Sequence, residues 1–393
     1  MGVYGDKVLK NTVATLLVYE TIRNEKTVGL IGEDHHTGIV DIAEPLGVVL
    51  AGTPVTNPTS TTMFKILLAL KTRNAIILSP HRKAFGCSVD AARFMYEAAL
   101  EAGAPEDCIT WMTEPSREVS TGLMHHSGLA MILATGGSSL VNAAYSSGTP
   151  ALGVGPGNVP VFVDGSADLE LLANSIMASK TFDNGMICAS EQALVIAGGH
   201  YGEVVEELQA RGAYLCTTED RAKLEAIAID PERGGMSLDV IGQPATTIAA
   251  LAGISVPRDT RLLLVEPGGI GPAYPLSREK LSPILALYHA HNDRDGINHC
   301  VDLLHFGGIG HTAGIFSNDE RVISEFADAV NAGRILINQP TSQGAVGQMF
   351  NMMPASLTLG CGTGGHNITT DNVTASHLIN RKRVLRRHPT IAS

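Results

Sequence analysis

Basic residues and cysteines are scarce in this chain, and each shortage closes off a class of function. Lysine and arginine number 28 against 39 aspartates and glutamates, a formal net charge of −11. No positive field is available to neutralise phosphates, which argues against a nucleic-acid partner. The one basic cluster, Arg381-Lys382-Arg383 with Arg386-Arg387, reads as a solvated terminus. Six scattered cysteines without a repeated spacing make neither a disulfide framework nor a zinc site, and indicate reduced thiols in the cytoplasm. The histidines at His35-His36, His125-His126, His289 with His291, and His366 lack metal-ligand spacing, so no metal is expected. No apolar run reaches membrane-spanning length, and the N-terminus has no signal-peptide pattern. Met1-Gly2 opens like a myristoylation site, but Asp6 stands where Ser or Thr is needed. Repeats and low-complexity tracts are missing too.

What is present suits a well-buried α/β enzyme: 44% hydrophobic and 17% charged residues over 393 positions, room for two domains. After an amphipathic helix over 7–22 and a short strand over 37–42, strands and helices alternate. Strands are expected at 48–50, 75–79, 109–112, 130–134 and 151–154, with helices at 61–70, 88–102, 116–125 and 138–146. Short turns between them imply right-handed crossovers, a parallel sheet and a dinucleotide-binding type of domain. A second alternating block has helices at 202–211, 219–229 and 294–304, and strands at 261–265, 284–288, 312–316 and 334–338. The domain junction is expected near residue 180, and 377–385 reads as a polar strand.

The most informative stretch is Thr181-Phe182-Asp183-Asn184-Gly185-Met186-Ile187-Cys188-Ala189-Ser190-Glu191-Gln192. A helix over 167–180, with Leu169, Leu172, Ile176 and Met177 at helical spacing, runs into it, and the buried-strand run 193–197 leaves it. Asp183-Asn184-Gly185 breaks the helix, so Cys188 lies on a turn between two rigid elements, where a thiol can be exposed and tuned as a nucleophile. A buried structural cysteine is the alternative. Elsewhere, Ala134-Thr135-Gly136-Gly137-Ser138 leaves a strand and opens a helix, so Thr135, Gly136, Gly137 and Ser138 could let the backbone approach a pyrophosphate. Gly153-Val154-Gly155-Pro156-Gly157 has a superficially better glycine spacing but reads as a decoy. Asn57, in Pro54-Val55-Thr56-Asn57-Pro58-Thr59-Ser60, projects from a carboxyl edge of the sheet, where α/β proteins place ligands; a plain turn residue is the alternative.

The Cys188 stretch resembles, almost letter for letter, the catalytic segment of the CoA-acylating aldehyde dehydrogenases, both stand-alone acylating enzymes and the aldehyde dehydrogenase half of bifunctional aldehyde-alcohol dehydrogenases. The resemblance runs in blocks from Met1 to about Arg383. It implies an aldehyde dehydrogenase-like α/β fold: a Rossmann-type cofactor domain over 1–180, a catalytic domain over 181–366 and a C-terminal oligomerisation segment over 367–393. The strand near 37–42 would join that segment in a small ribbon, in a homodimer or larger homo-oligomer. Family members usually have further helices before the point where this chain starts, which suggests a truncated form or a late start. The iron-dependent alcohol dehydrogenase half of the bifunctional relatives would begin beyond this chain's end.

The resemblance also implies roles. Cys188 is the nucleophile, and the Asn57 amide holds the oxyanion together with the cysteine N–H. His81, in Ser79-Pro80-His81-Arg82, lies where the family touches the adenosine ribose of NAD, with a surface turn as alternative. Glu279, in Glu279-Lys280-Leu281-Ser282-Pro283, lies where a carboxylate holds the nicotinamide ribose, with a solvated loop residue as alternative. His311, in Gly307-Gly308-Ile309-Gly310-His311-Thr312-Ala313, could bind coenzyme A phosphates or handle protons, or be a satisfied loop residue. Cys361 is a second thiol expected in a turn near the substrate mouth. Gln339-Pro340-Thr341-Ser342-Gln343 and the Met-rich 349–353 are expected to line the substrate pocket. Hydrolytic relatives carry a glutamate where this chain reads Leu152-Gly153-Val154-Gly155-Pro156-Gly157-Asn158. Without that base a cysteine thioester resists water and awaits a thiol, which favours acyl transfer to CoA. Acetaldehyde is the default substrate; propanal, butanal, succinate semialdehyde or sulfoacetaldehyde are alternatives. A hydrolytic dehydrogenase and a non-catalytic structural or shell-associated subunit are the rival classes.

Overall fold

The computed structural model describes residues 1–230 and 235–387. Its chain divides into two compact units. One takes residues 9–154, 354–358 and 372 onward; the other takes 1–8, 155–353 and 359–371. The division falls after Val154, not near residue 180 as the element pattern suggested. The reason is a strand that the sequence reading passed over, Val159–Val163, whose Pro160 argues against a central strand. Its register with the second sheet shifts between Val159 and Pro160. The C-terminal segment expected over 367–393 is likewise split, and its residues 388–393 lie outside the described residues.

The N-terminal helix is longer than expected and interrupted, and it belongs to the first unit only from residue 9 onward. Helix α1 (Tyr4–Thr12) passes through a π-helical turn over Val13–Leu17 into α2 (Val18–Ile22). Strands β1 (Gly29–Asp34) and β2 (Ile39–Pro45) form an antiparallel hairpin. Then come β3 (Val48–Thr53), α3 (Pro58–Lys71), β4 (Ala75–Pro80), α4 (Phe85–Glu101), β5 (Ile109–Trp111), α5 (Arg117–Met124), β6 (Leu129–Thr135), α6 (Ser138–Ser146) and β7 (Ala151–Val154). The five strands pair in parallel in the order β5-β4-β3-β6-β7. The order reverses between β3 and β6, and a ligand crevice in such sheets opens at the carboxyl ends of those strands. Along β3 the burial alternates in partner: Val49 packs with Phe64, Leu68 and Leu133, while Leu50 packs with Ile132, Ala134 and Val141. Helices thus cover both faces, which is why the strands read as continuous apolar runs.

The second unit holds β8 (Val159–Val163), α7 (Leu169–Lys180), β9 (Glu191–Ala197), α8 (Tyr201–Gln209), β10 (Ala213–Leu215), α9 (Thr218–Ala228) and α10 (Ala245–Leu251). It continues with β11 (Leu262–Val265), β12 (Ile284–Ala290), α11 (Asp293–Phe306), β13 (Ala313–Phe316), α12 (Glu320–Ala329), β14 (Ile335–Ile337) and α13 (Thr341–Val346). Its seven-stranded sheet is parallel throughout, in the order β10-β11-β12-β9-β8-β13-β14. All seven residues of β9 are buried. Val161, Leu194, Leu264 and Leu285 face one helical layer, and Phe162, Val195, Ala286 and Ile315 the other. Each of the larger side chains among them, withdrawn from water, contributes roughly 1.5–3 kcal/mol.

The last strand, β15 (Ile379–Leu385), pairs antiparallel with β2, giving the ribbon β1-β2-β15 in the first unit. The expected pairing of the 37–42 strand with 377–385 is therefore made within one chain.

Candidate active site

Cys188 sits on a turn that is strained and braced. Asp168 caps α7 by accepting the Leu171 N–H at 3.0 Å, and the helix runs to Lys180. Asp183, Asn184 and Gly185 then follow with φ of 49°, 53° and 74°. Left-handed backbone at two non-glycine residues in a row costs about 1–2 kcal/mol each, so something must hold it. The Asp183 carboxylate accepts the Val3 N–H at 2.9 Å and pairs with the Lys7 ammonium at 2.6 Å, while its own N–H donates to Asp6 at 2.7 Å. The Asn184 amide donates to the Gly242 carbonyl at 3.0 Å. At Gly185 a Cβ would stand 2.6 Å from the Ser282 carbonyl oxygen, so only glycine passes. Beyond the cysteine, the Ala189 carbonyl accepts the Thr341 hydroxyl at 2.7 Å. Thr341 and Ser342, expected in a substrate pocket, are buried and act as braces: the Thr341 N–H donates to Glu191 at 2.8 Å and the Ser342 N–H to the Ser179 hydroxyl at 2.9 Å.

Five residues converge on this turn. A Cβ on Gly157 would lie 2.4 Å from the Cys188 carbonyl oxygen and 3.1 Å from the His311 ring, so bare backbone separates the two residues. The Gly157 N–H donates to the Glu279 carboxylate at 3.1 Å. His311 is fully buried; its Nδ1 faces the Thr312 hydroxyl at 2.9 Å and its Nε2 has no hydrogen-bond partner among the described residues. Arg334, also buried, donates to the His311 carbonyl at 2.8 Å and to the Gly360 and Thr370 carbonyls at 2.6 and 3.0 Å. The second thiol, Cys361, is buried and donates to the Leu359 carbonyl at 3.4 Å, whereas Cys188 keeps partial exposure. Accessibility favours Cys188 of the two.

The local electrostatics are dominated by burial. It pushes the Cys188 thiol up to about 12, with the charges of Glu279 and Cys361 adding to the rise and Arg334 opposing it. Burial raises Glu279 to about 7 against the pull of the Gly157 N–H and of Lys180 and Lys280. His311 is held down to about 3 by burial and then by Arg334, so its ring is neutral at physiological pH. Beneath the turn lies a layer of buried charge that the linear sequence did not announce. The Lys180 ammonium donates to Gln192 Oε1 at 3.1 Å, which also accepts the Lys280 N–H at 3.0 Å. Burial lowers Lys180 to about 7, and Glu191 and Glu279 oppose that fall. This network fixes the backbone next to Glu279.

The expected lack of a carboxylate beside the cysteine does not hold in the folded chain. The 152–158 segment contains no carboxylate of its own, but the fold brings one to it, because Glu279 docks on Gly157. Linear absence of a base is not spatial absence.

The remaining expected residues lie in the first unit, all at the carboxyl edge of one sheet. Asn57 follows β3 and His81 follows β4, while Thr135 ends β6 and Gly136 and Gly137 lead to Ser138, the first residue of α6. Thr53 and Thr135 end adjacent strands, since Gly52 pairs with Ala134, and both hydroxyls are buried without a hydrogen-bond partner among the described residues. Two orphaned hydroxyls beside a glycine-opened helix, at the switch point, fit a nucleotide cofactor there. Below them Lys65, fully buried on α3, donates to the Gly52 and Leu133 carbonyls at 2.6 and 2.7 Å and bridges β3 to β6; burial pulls its pKa down to about 7. His81 is exposed and accepts the Lys83 N–H at 3.2 Å, as a turn residue does. Among the described residues, no group of three or more His, Cys, Asp or Glu is placed to hold a metal ion, and no helix is long and apolar enough to cross a membrane.

A parallel sheet with a 3-2-1-4-5 order, joined in the chain to a second parallel sheet whose strained turn bears a cysteine, defines a class. Residues 11–227 match the aldehyde dehydrogenase family, and the chain belongs to it. Within that family the similarity is to acylating members. The acetylating aldehyde dehydrogenase of Geobacillus thermoglucosidasius is 46% identical, with a TM-score of 0.95 over 99% of this chain and 86% of that one. The propionaldehyde dehydrogenase of Rhodopseudomonas palustris, solved with bound CoA and an acylated cysteine, is 27% identical with a TM-score of 0.86 over 98% of this chain and 85% of that one. The aldehyde-alcohol dehydrogenase of Streptococcus pneumoniae serotype 4 is 46% identical over 98% of this chain but only 44% of its own length. The chain thus spans less than half the length of that relative.

Proposed function

We propose that this chain catalyses the NAD-dependent, CoA-acylating oxidation of a short aldehyde, acetaldehyde by default, to its acyl-CoA, reversibly. The observation that carries the reading is the braced, left-handed turn presenting the more accessible of two neighbouring thiols, Cys188, beside His311 and Glu279, in a chain whose relatives include one solved with CoA and an acylated cysteine. Cys188 adds through sulfur to the aldehyde carbon, and the thiol proton leaves to a neighbouring base. The Asn57 amide and the Cys188 N–H donate to the oxyanion. A bound nicotinamide cofactor supplies the hydride acceptor. Thr135, Gly136, Gly137 and Ser138 would hold its pyrophosphate, His81 its adenosine end and Glu279 its nicotinamide ribose. The CoA thiol then attacks the Cys188 thioester carbon, forming a new C–S bond and returning the cysteine sulfur as leaving group. Neutral His311 would hydrogen-bond a CoA phosphate through its Nε2–H. Held down to about 3, it is too weak a base to take the CoA thiol proton, so that part of its expected role falls to another group. Homo-oligomerisation through the β15 edge belongs to the same reading, as does a reducing cytoplasmic setting for the six free cysteines.

The Glu279 carboxylate, poised at about 7 and docked on Gly157, favours a second reading in which water replaces CoA. One experiment separates them: NADH formation from acetaldehyde by purified protein, with and without CoA. A strict CoA requirement is expected; equal rates would establish hydrolysis. Cys188→Ala should abolish turnover in either case while NAD still binds, and an active variant would remove Cys188 from the nucleophile's place.

A further inference from the structure

Asn57 is the N-cap residue of α3, a position where an asparagine normally turns its side-chain oxygen onto the backbone N–H groups of the first turn. Here it makes no such cap, and Pro58 follows at the first helical position. Its Oδ1 instead accepts the ammonium of Lys10 at 2.6 Å. Lys10 is 5% exposed, deep for an ammonium on a nine-residue surface helix. The next residue repeats the grip, since Asn11 Oδ1 accepts the Thr59 hydroxyl at 2.8 Å. Two consecutive residues of α1 therefore clasp the opening of α3, in the same unit.

An ammonium has three donors and no acceptor, so it can engage only the oxygen end of an amide. That removes the twofold ambiguity an asparagine otherwise has: with Oδ1 on Lys10, Nδ2 must point the other way. The Nδ2 group makes a 3.3 Å contact to the Thr56 hydroxyl, long enough to spare a donor. Drawing electron density toward Oδ1 also makes the Nδ2 hydrogens better donors.

We infer that Lys10 is a positioning residue for the proposed reaction: it locks the Asn57 amide with its NH2 outward, ready to donate to the oxyanion. This rests on the oxyanion role given to Asn57 above.

The test is a double-mutant cycle on the full chain, with kcat and KM from acetaldehyde, CoA and NAD, and the NAD dissociation constant and melting curve of each variant. Lys10→Met should lower kcat roughly tenfold, the scale of one charge-assisted hydrogen bond, with NAD affinity unchanged. Lys10→Arg should restore most of it. In an Asn57→Ala background, Lys10→Met should cost less than twofold more. If the two losses simply multiply, or if Lys10→Met keeps wild-type kcat, the inference fails. Asn57→Ala alone tests the underlying reading: an unchanged kcat there removes Asn57 from the mechanism, whatever Lys10 does. Should Lys10→Met not fold, Lys10→Gln, which keeps an apolar stem and a donating amide, must show a kcat between those of wild type and Asn57→Ala; wild-type or fully lost kcat overturns the inference.

Discussion

Substituting Gly157 by alanine puts one methyl group where the active turn has no room. The added Cβ would sit 2.4 Å from the Cys188 carbonyl oxygen, against the 3.4 Å of an ordinary contact, and 3.1 Å from the His311 ring. The cysteine backbone has to yield by about 1 Å, and a displacement of that size at reacting atoms can cost about a hundredfold in rate. Neither neighbour yields easily. His311 is fully buried and tied to Thr312, and the turn is pinned at Asp183, Asn184 and Ala189. The Gly157 N–H that holds Glu279 moves with it. We expect kcat to fall about a hundredfold, with an overpacking cost of about 1–3 kcal/mol in stability. Gly155→Ala is the control, two residues away with open space around its Cβ, and should keep near wild-type activity. The assay is NADH formation in the presence of CoA, with melting curves of both variants. A Gly157→Ala protein with wild-type kcat and melting would refute the claim that bare backbone spaces Cys188 from His311.

Three further outcomes are expected. With the Cys188 thiol near 12, iodoacetamide alkylation of its peptide should rise about tenfold per pH unit from pH 7 to 9, and a plateau by pH 8 would contradict this. Arg334→Met should slow that alkylation at every pH, because the guanidinium is what pulls the thiol down; an unchanged rate would exclude the charge effect. His311 protonates near 3 in the folded chain and near 6.5 unfolded. The unfolded chain alone takes up that proton between those values, so stability falls as pH drops through the window, by roughly 4–5 kcal/mol at its foot. Urea midpoints of His311→Gln should decline less steeply from pH 6.5 to 4 than those of the parent, and parallel slopes would count against it.

Much of the fold was legible because its signal is local. Elements with a continuous apolar run or a clean 3.6 period, such as β4, β7, α6 and α7, came out nearly to the residue. The strand β8 was missed because Pro160 argues against it locally and only its neighbours β9 and β13 make it a strand. The hairpin strand β1, with Gly32 half-buried and the charged Glu33 and Asp34 exposed, carries no such run either. At the site, Cys188 and its breaker Asp183-Asn184-Gly185 were visible as a motif. The roles of Lys180, Arg334 and Lys10 were not, since a buried lysine or arginine reads in a sequence like any solvated one.

The order of residues therefore determines where the chain turns, which segments are strands or helices, and which thiol stands on a breaker between two rigid elements, all consequences of contacts a few positions apart. Which groups meet across long separations was decided by the tertiary structure. Glu279 reaches the Gly157 N–H, Lys7 and Val3 hold Asp183, and Lys10 takes the oxygen of Asn57. Those contacts depend on sheet order and helix packing, and burial there changes the charge a group carries at neutral pH. No spacing in the sequence encodes either effect.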